Sequence, residues 1–429
     1  MSVRRLFHAP AVPAELLLRG VHTLDPRAGL DAPHDVLVRD GAVAELGAPG
    51  SLAAPEGAEV VEGEGLHLFP AFFDPHVHLR TPGQEHKETL ATGTAAAAAG
   101  GFCGIVAMPN TAPTLDDASG LRALCAQARQ EARVPVGFMP AITRGLAGTE
   151  LTEMAELRDA GALGFTDDGK PVVAAGMLRR ALQYQRLCGG VLALHEEDPT
   201  LSGHGVMHEG AVSARLGLTG IPSISESTMV ARDSAIAAYE QGRVHFQHLS
   251  CVESVEALAA WKAAGARVSG EASPHHLTLT DEAVRSLDSR FKMNPPLRTE
   301  ADRQALIAGL RDGTIECVAT DHAPHAHHEK EVPFEEAPMG VTGLETAFPV
   351  LYTDLVLPGV LGLALVVERM TAGAALLDLA AEWEVGARGY ASKSANSCFE
   401  GRTLRGVVRL TLAAGAVVHR AEVLAEVAA

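Results

Sequence analysis

The sequence predicts an α/β fold: a TIM-like (β/α)8 barrel with a small β-sandwich domain built from both chain ends. Eight short apolar runs follow one another through the central part of the chain, and alanine-rich stretches of helical period separate them. Most of these runs end in a polar residue at the point where a strand should stop. An open doubly wound sheet could also use eight strands, but it does not predict this third observation.

The eight runs are typical of short, buried parallel strands. In chain order they are "LFPAFFDPHVH", "FCGIVAMPN", "VPVGFMPAI", "GALGFTDDG", "GGVLALHEED", "RVHFQHLS", "ARVSGEASPHH" and "TIECVATDHAPH". Stretches such as "ETLATGTAAAAAG" and "EALAAWKAAG" lie between them and predict helices. We therefore assign residues 69–380 to the barrel.

The two chain ends have a different pattern. Residues 13–68 alternate strand-like runs with turns, as in "AELLLRGVHTL" and "DVLVRDGAVAELG". The segment "GRTLRGVVRLTLAAGAVVH" near the C-terminus has the same texture. We therefore assign residues 1–68 and 381–429 to the small β-domain.

Composition excludes several classes of function. The chain has 429 residues, 47% of them apolar, and a formal net charge of −18 without a Lys/Arg cluster, which argues against nucleic acid or an anionic membrane as a partner. The six cysteines are scattered without a CxxC pair, so they predict core thiols in a reducing cytoplasm. An anionic small-molecule substrate remains possible, because a few cationic side chains close to a site can outweigh the net negative charge of the whole protein.

The polar strand ends are rich in metal-ligand types. In a (β/α)8 barrel the C-terminal strand ends converge on one face, so these side chains should share a site. The candidate ligands are His76, His78, Asp168, His195, His248 and Asp321. Four imidazoles and two carboxylates without cysteine suit zinc or a similar divalent ion, and they are numerous enough for two ions. Such a centre acidifies bound water, which predicts a hydrolase of amides or cyclic amides.

Further polar residues are candidates for substrate contact. Arg80 lies two residues after His78, as His78 does after His76, so its side chain should project to the same face as the histidines. There it could bind a substrate carboxylate or instead pair with an acidic residue of the barrel rim. Asn110 and Asn294 offer amide groups, although both lie beside proline and could serve turns. His325 could bind metal, bind substrate or lie on the surface, and we favour substrate contact.

The motifs together resemble those of the dihydroorotases of the amidohydrolase superfamily, in particular the bacterial stand-alone type. The matching segments span positions 74 to about 352 and include "DPHVHLRTPGQEHKETLATG", "AMPNT", "GFTDDGKPV", "HFQHLS", "FKMNPPLR" and "DGTIECVATDHAPH". The resemblance implies reversible cyclisation of N-carbamoyl-L-aspartate to L-dihydroorotate in pyrimidine biosynthesis. It also implies one or two zinc ions, a dimeric homo-oligomer and aspartate transcarbamoylase as a possible partner.

The resemblance also implies a role for each site residue. His76, His78 and Asp321 would hold one zinc ion, His195 and His248 the other, with Asp168 bridging and Asp167 as the neighbouring candidate. Asp321 would also be the general base. Arg80, Asn110 and His325 would bind the substrate carboxylate, while Asn294 and the backbone near Met339 and Gly340 would hold the ring.

Two alternatives remain open at this point. The first is another cyclic amidase, such as an allantoinase or hydantoinase, in which a carboxylated lysine is the bridging ligand. Here "TDDG" places aspartates at that strand end and Lys170 two residues later. The second is a non-catalytic homologue that scaffolds aspartate transcarbamoylase. The resemblance also makes the stretch after residue 381 shorter than expected.

Overall fold

The N-terminal region forms the first strands of a small β-domain. The computed structural model describes residues 5–371 and 374–421. The leucine- and valine-rich runs of this region form β1 (Leu16–Asp25), β2 (Leu30–Arg39), β3 (Ala42–Gly47), β4 (Glu59–Glu62) and β5 (His67–Phe69). β1 is central, since it pairs antiparallel with β2 and parallel with both β4 and β5.

Each of the eight predicted apolar runs forms a barrel strand. A parallel strand of this kind is buried on both faces, which explains why the runs are almost continuously apolar. The strands are β6 (Phe72–Val77), β7 (Phe102–Ala107), β8 (Val136–Phe138), β9 (Phe165–Thr166), β10 (Leu192–Leu194), β13 (Val244–Phe246), β14 (Val268–Ala272) and β15 (Cys317–Val318), with a small parallel pair, β11 (Met207–His208) and β12 (Gly220–Ile221), inserted after β10.

Backbone hydrogen bonds close the barrel at two seams. β6, β7 and β8 form one parallel sheet, and β9, β10, β13, β14 and β15 form the other. At the first seam the N–H of Leu163 donates to the carbonyl of Phe138 over 3.0 Å. At the second the N–H of His78 donates to the carbonyl of His322 over 2.8 Å. The predicted (β/α)8 barrel is therefore confirmed.

All seven gaps between barrel strands contain at least one helix. Local capping starts several of them; for example, Asp117 accepts from the N–H groups of Ser119 and Gly120 at the start of α2. The helices are α1 (Leu90–Ala99), α2 (Ala118–Glu131), α3 (Met154–Ala160), α4 (Ala175–Cys188), α5 (Pro199–Ser202), α6 (Ala211–Leu216), α7 (Ile224–Glu240), α8 (Val252–Ala263), α9 (Pro274–Thr278), α10 (Glu300–Asp312), α11 (His327–Lys330), α12 (Ala347–Leu351) and α13 (Leu363–Met370), with short 3-10 turns at Arg144–Leu146, Asp281–Ser286 and Ser289–Phe291 and a π-helical turn at Tyr352–Val356. No helix in the described residues is long and apolar enough to cross a lipid bilayer.

The C-terminal region completes the small sheet with β16 (Ala374–Glu384), β17 (Thr403–Ala413) and β18 (Ala416–Arg420). β16 pairs antiparallel with β5, so strands from both chain ends form one eight-stranded sheet. The boundary predicted between 380 and 381 therefore falls inside a strand: pairing with β5 brings the sheet's C-terminal part forward to Ala374. Between β16 and β17 the chain leaves the sheet and lies against the barrel.

Aromatic packing joins the small sheet to the barrel. The rings of Phe69, on β5, and Phe72, on β6, both pack against Phe348 of α12, with centroids 5.7 and 5.3 Å away. All three side chains are fully buried. This shared apolar cluster fixes β6, and hence the residues at its C-terminal end, relative to the small domain.

Candidate active site

The six candidate ligands lie together at the C-terminal ends of the barrel strands. They come from or directly follow β6, β9, β10, β13 and β15, and their residues are between 0 and 6% exposed. The ligands are His76, His78, Asp168, His195, His248 and Asp321. A single strand-end histidine would be unremarkable, but convergence from five strands makes one site.

Asp168 lies between two groups of histidines. Its Oδ1 is 3.3 Å from Nε2 of His76 and 3.6 Å from Nε2 of His248, while its Oδ2 is 3.5 Å from Nε2 of His78. Nδ1 of His195 lies 4.0 Å from the same Oδ1. One carboxylate thus faces imidazoles from both groups, so Asp168 could contact a metal ion held by either group.

Asp321 completes the first group. Its Oδ1 lies 2.9 Å from Nε2 of His78 and 3.5 Å from Nε2 of His76. In the second group Nδ1 of His195 and Nε2 of His248 are 2.9 Å apart. Two sets of three, namely His76 with Asp168 and His248, and His76 with His78 and Asp321, have donor atoms all within 4.8 Å of one another.

The donor chemistry fits a divalent metal. Nε2 of His76 is buried and has no hydrogen-bond partner in the described residues, although a buried polar atom of this kind is normally paired. Its other ring nitrogen, Nδ1, lies 2.7 Å from Oε1 of Glu271 and is thereby fixed. A histidine oriented through one nitrogen by a carboxylate presents the other nitrogen to a metal.

Glu271 is a supporting residue whose role the sequence did not reveal. One oxygen binds His76 and the other accepts from Nε2 of His245 over 2.9 Å. Burial raises the pKa of Glu271, but the two histidines outweigh burial and lower this pKa to about 2. Its position at the end of the seventh strand run, in "GEASPHH", is the signal that could have identified it.

Buried charges set the protonation states of the cluster. Burial lowers the pKa of His76, but Asp168, Glu271 and Asp321 together raise it well above the usual range. Burial raises the pKa of Asp168 and of Asp321, whereas the neighbouring histidines, His76 foremost, bring both below their usual range. Both carboxylates are therefore ionised at neutral pH, as ligands must be.

At the end of the fourth barrel strand, β9, the side chains of Asp167 and Asp168 point in different directions. Asp167 turns away from the cluster, where its Oδ1 accepts from the N–H groups of Ile142 and Thr143 at 2.8 and 3.0 Å. Asp168 alone of the two faces the histidines. Lys170, the residue that could have served as a lysine bridge, is exposed.

Three site residues have left-handed backbone conformations that side chains other than glycine rarely adopt. The φ angles are +57° at Arg80, +33° at His248 and +46° at Asp321. Such conformations are costly and concentrate at functional sites, where the surrounding structure imposes them. Here they turn the chain sharply at the ends of three barrel strands.

A cavity of about 230 Å³ opens above the cluster. Nearly all the predicted site residues line it; only His76, which lies beneath, does not. The lining residues include His78, Arg80, Asn110, Asp168, His195, His248, Asn294, Asp321, His325, Met339 and Gly340. The structure therefore brings the predicted ligands and the predicted substrate contacts to one cavity.

Arg80 is buried in one wall of this cavity. Its Nε donates to the carbonyl of Pro324 over 3.2 Å, which fixes the guanidinium without an acidic partner within ion-pairing distance in the described residues. Burial lowers the pKa of Arg80, while Asp321 and Asp168 favour its charge. A guanidinium of this kind can receive a carboxylate.

The other wall residues are held by one another. Asn110 accepts from Nδ1 of His78 and donates to Oδ2 of Asp168, at 2.8 and 3.2 Å. Nδ2 of Asn294 donates over 2.6 Å to Glu197, which lies 3.5 Å from Nε2 of His195. Glu197 is thus a second supporting residue that sequence reasoning missed, two residues after the candidate ligand His195 in "LHEED".

His325 and the Met339–Gly340 backbone form the part of the wall beside Arg80. Nε2 of His325 donates to the carbonyl of Met339 over 2.9 Å. Burial, with the nearby Arg80, lowers the pKa of His325 to about 3, so the ring is neutral at pH 7. The N–H of Gly340 donates to the carbonyl of Lys292 over 3.0 Å, so this donor is not free to bind a ligand.

Comparisons with known proteins indicate the family to which the chain is similar. A family model described as dihydro-orotase-like matches residues 65–256. A protein of Geobacter sp. (strain M21) named dihydroorotase is 44% identical over 425 residues, which is 95% of this chain and 99% of the relative. A protein of Pelotomaculum thermopropionicum with the same name is 44% identical over 429 residues, covering 96% of this chain and 100% of the relative.

Solved structures of related shape support the fold. The L-hydantoinase of Arthrobacter aurescens superposes with a TM-score of 0.84 at 24% identity, covering 96% of this chain and 97% of that chain. The dihydropyrimidinase of Brevibacillus agri NCHU1002 gives 0.79 at 21% identity, covering 95% of both chains. At these identities the likeness extends to the fold alone.

Proposed function

Because the chain belongs to the dihydroorotase family and is a metal-dependent cyclic amide hydrolase, we propose that it interconverts N-carbamoyl-L-aspartate and L-dihydroorotate at the cluster described above. The observation that carries this proposal is the position of Asp168 between two groups of histidines, in a cavity that also contains Arg80. The cluster supplies metal ligands, and the arginine supplies a receptor for the substrate's carboxylate.

We assign the metal ligands as two zinc positions that share Asp168. His76, His78 and Asp321 would hold one ion, and His195 and His248 the other. Imidazole and carboxylate donors without cysteine support a catalytic rather than a structural zinc centre. Bound metal polarises a carbonyl and lowers the pKa of a coordinated water to near neutrality.

Asp321 is proposed as the general base. Its carboxylate lines the cavity, and the neighbouring histidines lower its pKa, so it is ionised at neutral pH, which is the form that a general base requires. In hydrolysis it takes the proton of the attacking water and delivers it to the leaving ring nitrogen. In cyclisation the protonated carboxyl returns that proton to the oxygen that departs as water. Cyclisation consumes a proton overall, so lower pH favours it.

The cavity walls are proposed to bind the rest of the substrate. Arg80 receives the carboxylate by a forked hydrogen bond, supported by its burial and by the anchor to Pro324. His325 and Asn110 line the same cavity and are assigned to the carboxylate as well. Asn294 and the backbone near Met339 and Gly340, apart from the Gly340 N–H that is bonded to Lys292, are assigned to the ring.

A neutral cyclic amide is a less suitable substrate. Hydantoin and allantoin carry no carboxylate for Arg80, and among the described residues no lysine lines the cavity. A purely non-catalytic scaffold is also disfavoured, since all six candidate ligands converge here. Zinc-dependent dihydroorotase activity is therefore the assignment that the geometry supports best.

The family and the free cysteines support a proposal for the location and the association state of the enzyme. All six cysteines are free, which suits the reducing cytoplasm as its location. We further propose a homodimer, with aspartate transcarbamoylase as a possible partner. Size-exclusion chromatography with light scattering, alone and with that enzyme, measures both associations.

The direct test combines turnover with metal counting. Purified protein is assayed with L-dihydroorotate, allantoin and hydantoin, and anomalous scattering at the zinc edge of a crystal locates the ions and their ligands. Turnover of dihydroorotate alone, with two zinc ions flanking Asp168, is expected. Turnover of allantoin without dihydroorotate would reject the substrate assignment. Absence of metal, even after zinc loading, would favour the scaffold.

A further inference from the structure

A short segment between β16 and β17 crosses the mouth of the barrel. In residues 391–397, "ASKSANS", exposed and buried residues alternate as far as Asn396, and all the buried ones are polar: Ser392, Ser394, Asn396 and Ser397. We call residues 391–397 the strap. Buried polar side chains must find partners, so the strap's contacts explain its composition.

The first half of the strap is fixed to the loop that follows β6. The hydroxyl of Ser392 donates to Oε2 of Glu88, and the hydroxyl of Ser394 donates to the carbonyl of Lys87 over 2.6 Å. Glu88 is fully buried, and its Oε2 also lies 3.3 Å from Nε2 of His322, next to Asp321. These contacts anchor the strap without touching the substrate walls.

Asn396, in the second half, bonds to both loops that form the part of the cavity wall beside Arg80. Its Oδ1 accepts from the N–H of His325 over 3.1 Å. Its Nδ2 donates to the carbonyl of Ala323 over 3.3 Å and to that of Gly340 over 3.1 Å. One amide, 4% exposed, therefore ties the turn after β15 to the Gly340 loop.

The residues that Asn396 holds are those next to the proposed carboxylate receptor. The turn 323–325 contains Pro324, whose carbonyl anchors Nε of Arg80, and His325, whose Nε2 reaches Met339. Gly340 leaves little room for displacement, since an added Cβ would lie 2.8 Å from Cβ of Ala323 and 3.0 Å from Nε2 of His325. A small shift of either loop would therefore change the position of Arg80 or His325 relative to the substrate.

This wall is thin on the side of the strap. His325 lines both the active-site cavity and a second cavity of about 350 Å³, which Asn396 also lines. Because side-chain packing does not fill the space behind the wall, hydrogen bonds must hold it in place. The three bonds of Asn396 meet that need.

We propose that Asn396 is a positioning residue that sets the enzyme's affinity for the anionic end of its substrate. It acts through the 323–325 turn and the Gly340 loop, and it contacts none of the metal ligands. The inference rests on the proposed function, since it presumes that Arg80 and His325 face the substrate's carboxylate.

The test is the division between KM and kcat for L-dihydroorotate in Asn396→Ala and Asn396→Asp. Alanine removes all three bonds; aspartate keeps the acceptor for His325 N–H but turns a carboxylate oxygen towards two carbonyls. Loss of buried hydrogen bonds of this kind should raise KM roughly tenfold or more in both variants, with kcat changed by less than about threefold. Metal content of the full-length protein should equal that of the wild type.

Ser394→Ala is the matched control, because it removes a strap contact that does not reach the substrate wall. Its KM should stay within about twofold of the wild type, since a single bond to Lys87 is lost and the Asn396 bonds remain. If it raised KM as much as Asn396→Ala, docking of the strap as a whole, and not Asn396, would set affinity.

Two further results would overturn the inference. One is an unchanged KM in Asn396→Ala and Asn396→Asp; the other is a fall in kcat and metal content at constant KM. Should Asn396→Ala fail to fold, Asn396→Asp, which preserves side-chain size, decides the question. A wild-type protein that does not turn over dihydroorotate would reject the proposed function and this inference with it, whereas an active wild type with unaffected variants rejects this inference alone.

Discussion

Oδ1 of Asn110 lies 2.8 Å from Nδ1 of His78, while Nδ2 of the same amide donates to Asp168 over 3.2 Å. A single side chain thus orients two proposed metal ligands that are far apart in sequence. The family resemblance assigns Asn110 to the substrate's carboxylate, but in this structure both ends of its amide are bonded to these two residues. We infer from these contacts that Asn110 also supports the proposed metal centre.

We therefore expect Asn110→Ala to weaken metal binding by about 10- to 100-fold, as loss of a group that orients a ligand does. Titration with a competing chelator, followed by zinc analysis, measures this affinity. Thr111→Val is the control, since the hydroxyl of Thr111 donates to the carbonyl of Pro113. A raised KM at unchanged metal affinity would show that Asn110 serves the substrate alone.

Arg80→Ala should raise KM by roughly tenfold or more, because charge-assisted forked bonds to a carboxylate are among the strongest hydrogen bonds. Metal content should stay near that of the wild type, since Arg80 contacts the Pro324 carbonyl and no ligand. Arg80→Lys keeps the charge but not the fork, and it should restore only part of the affinity. Loss of metal in either variant would assign Arg80 a structural role.

Asp321→Ala should abolish measurable turnover. It removes a proposed metal ligand together with the proposed base, and loss of general base catalysis alone costs about a hundredfold or more. Stopped assays in both directions, with metal analysis of the same samples, separate the two contributions. Substantial turnover at normal metal content would transfer the role of base to another group.

The barrel and the ligand cluster were predictable because their signals are local. Five of the eight strand runs end in a candidate ligand, and one rule about barrels places all strand ends on the same face. His195 in "LALHEED" and His248 in "HFQHLS" needed no knowledge of distant residues. The choice between Asp167 and Asp168 was harder, since it depends on whether Ile142 and Thr143 bind the first carboxylate.

The supporting layer could not be predicted, because it depends on contacts between remote segments. Asn396 and His325 are 71 residues apart, and Asn110 and Asp168 are 58 apart. The strap lies in the stretch that the family resemblance predicts to be shortened. Its alternating serines and asparagine were a usable signal, but the partner surface on the barrel was not visible from composition or periodicity.

Acid stability should depend on His208, which lies outside the metal cluster. Nη1 of Arg298 donates to Nδ1 of His208 over 3.2 Å, and both side chains are buried. Burial and the charge of Arg298 outweigh Asp302 and Glu253 and lower the pKa of His208 to about 4. The folded state therefore holds this ring neutral, because a protonated Nδ1 could not accept the arginine's hydrogen bond.

The unfolded chain binds a proton at His208 below about pH 6.5, whereas the folded protein does so only near pH 4. Between these values the unfolded state carries the additional proton, so the free energy of unfolding falls as the pH is lowered from 6.5 to 4. His208→Asn keeps an acceptor for Arg298 but does not titrate. Across this pH range the free energy of unfolding of the wild type should therefore fall by on the order of 1 kcal/mol or more relative to the variant.

Chemical denaturation of both proteins at each pH measures this difference. Any effect of metal release that is common to both proteins cancels in it. Parallel pH profiles would show that His208 is not neutral in the folded protein, or that its proton uptake is the same in both states.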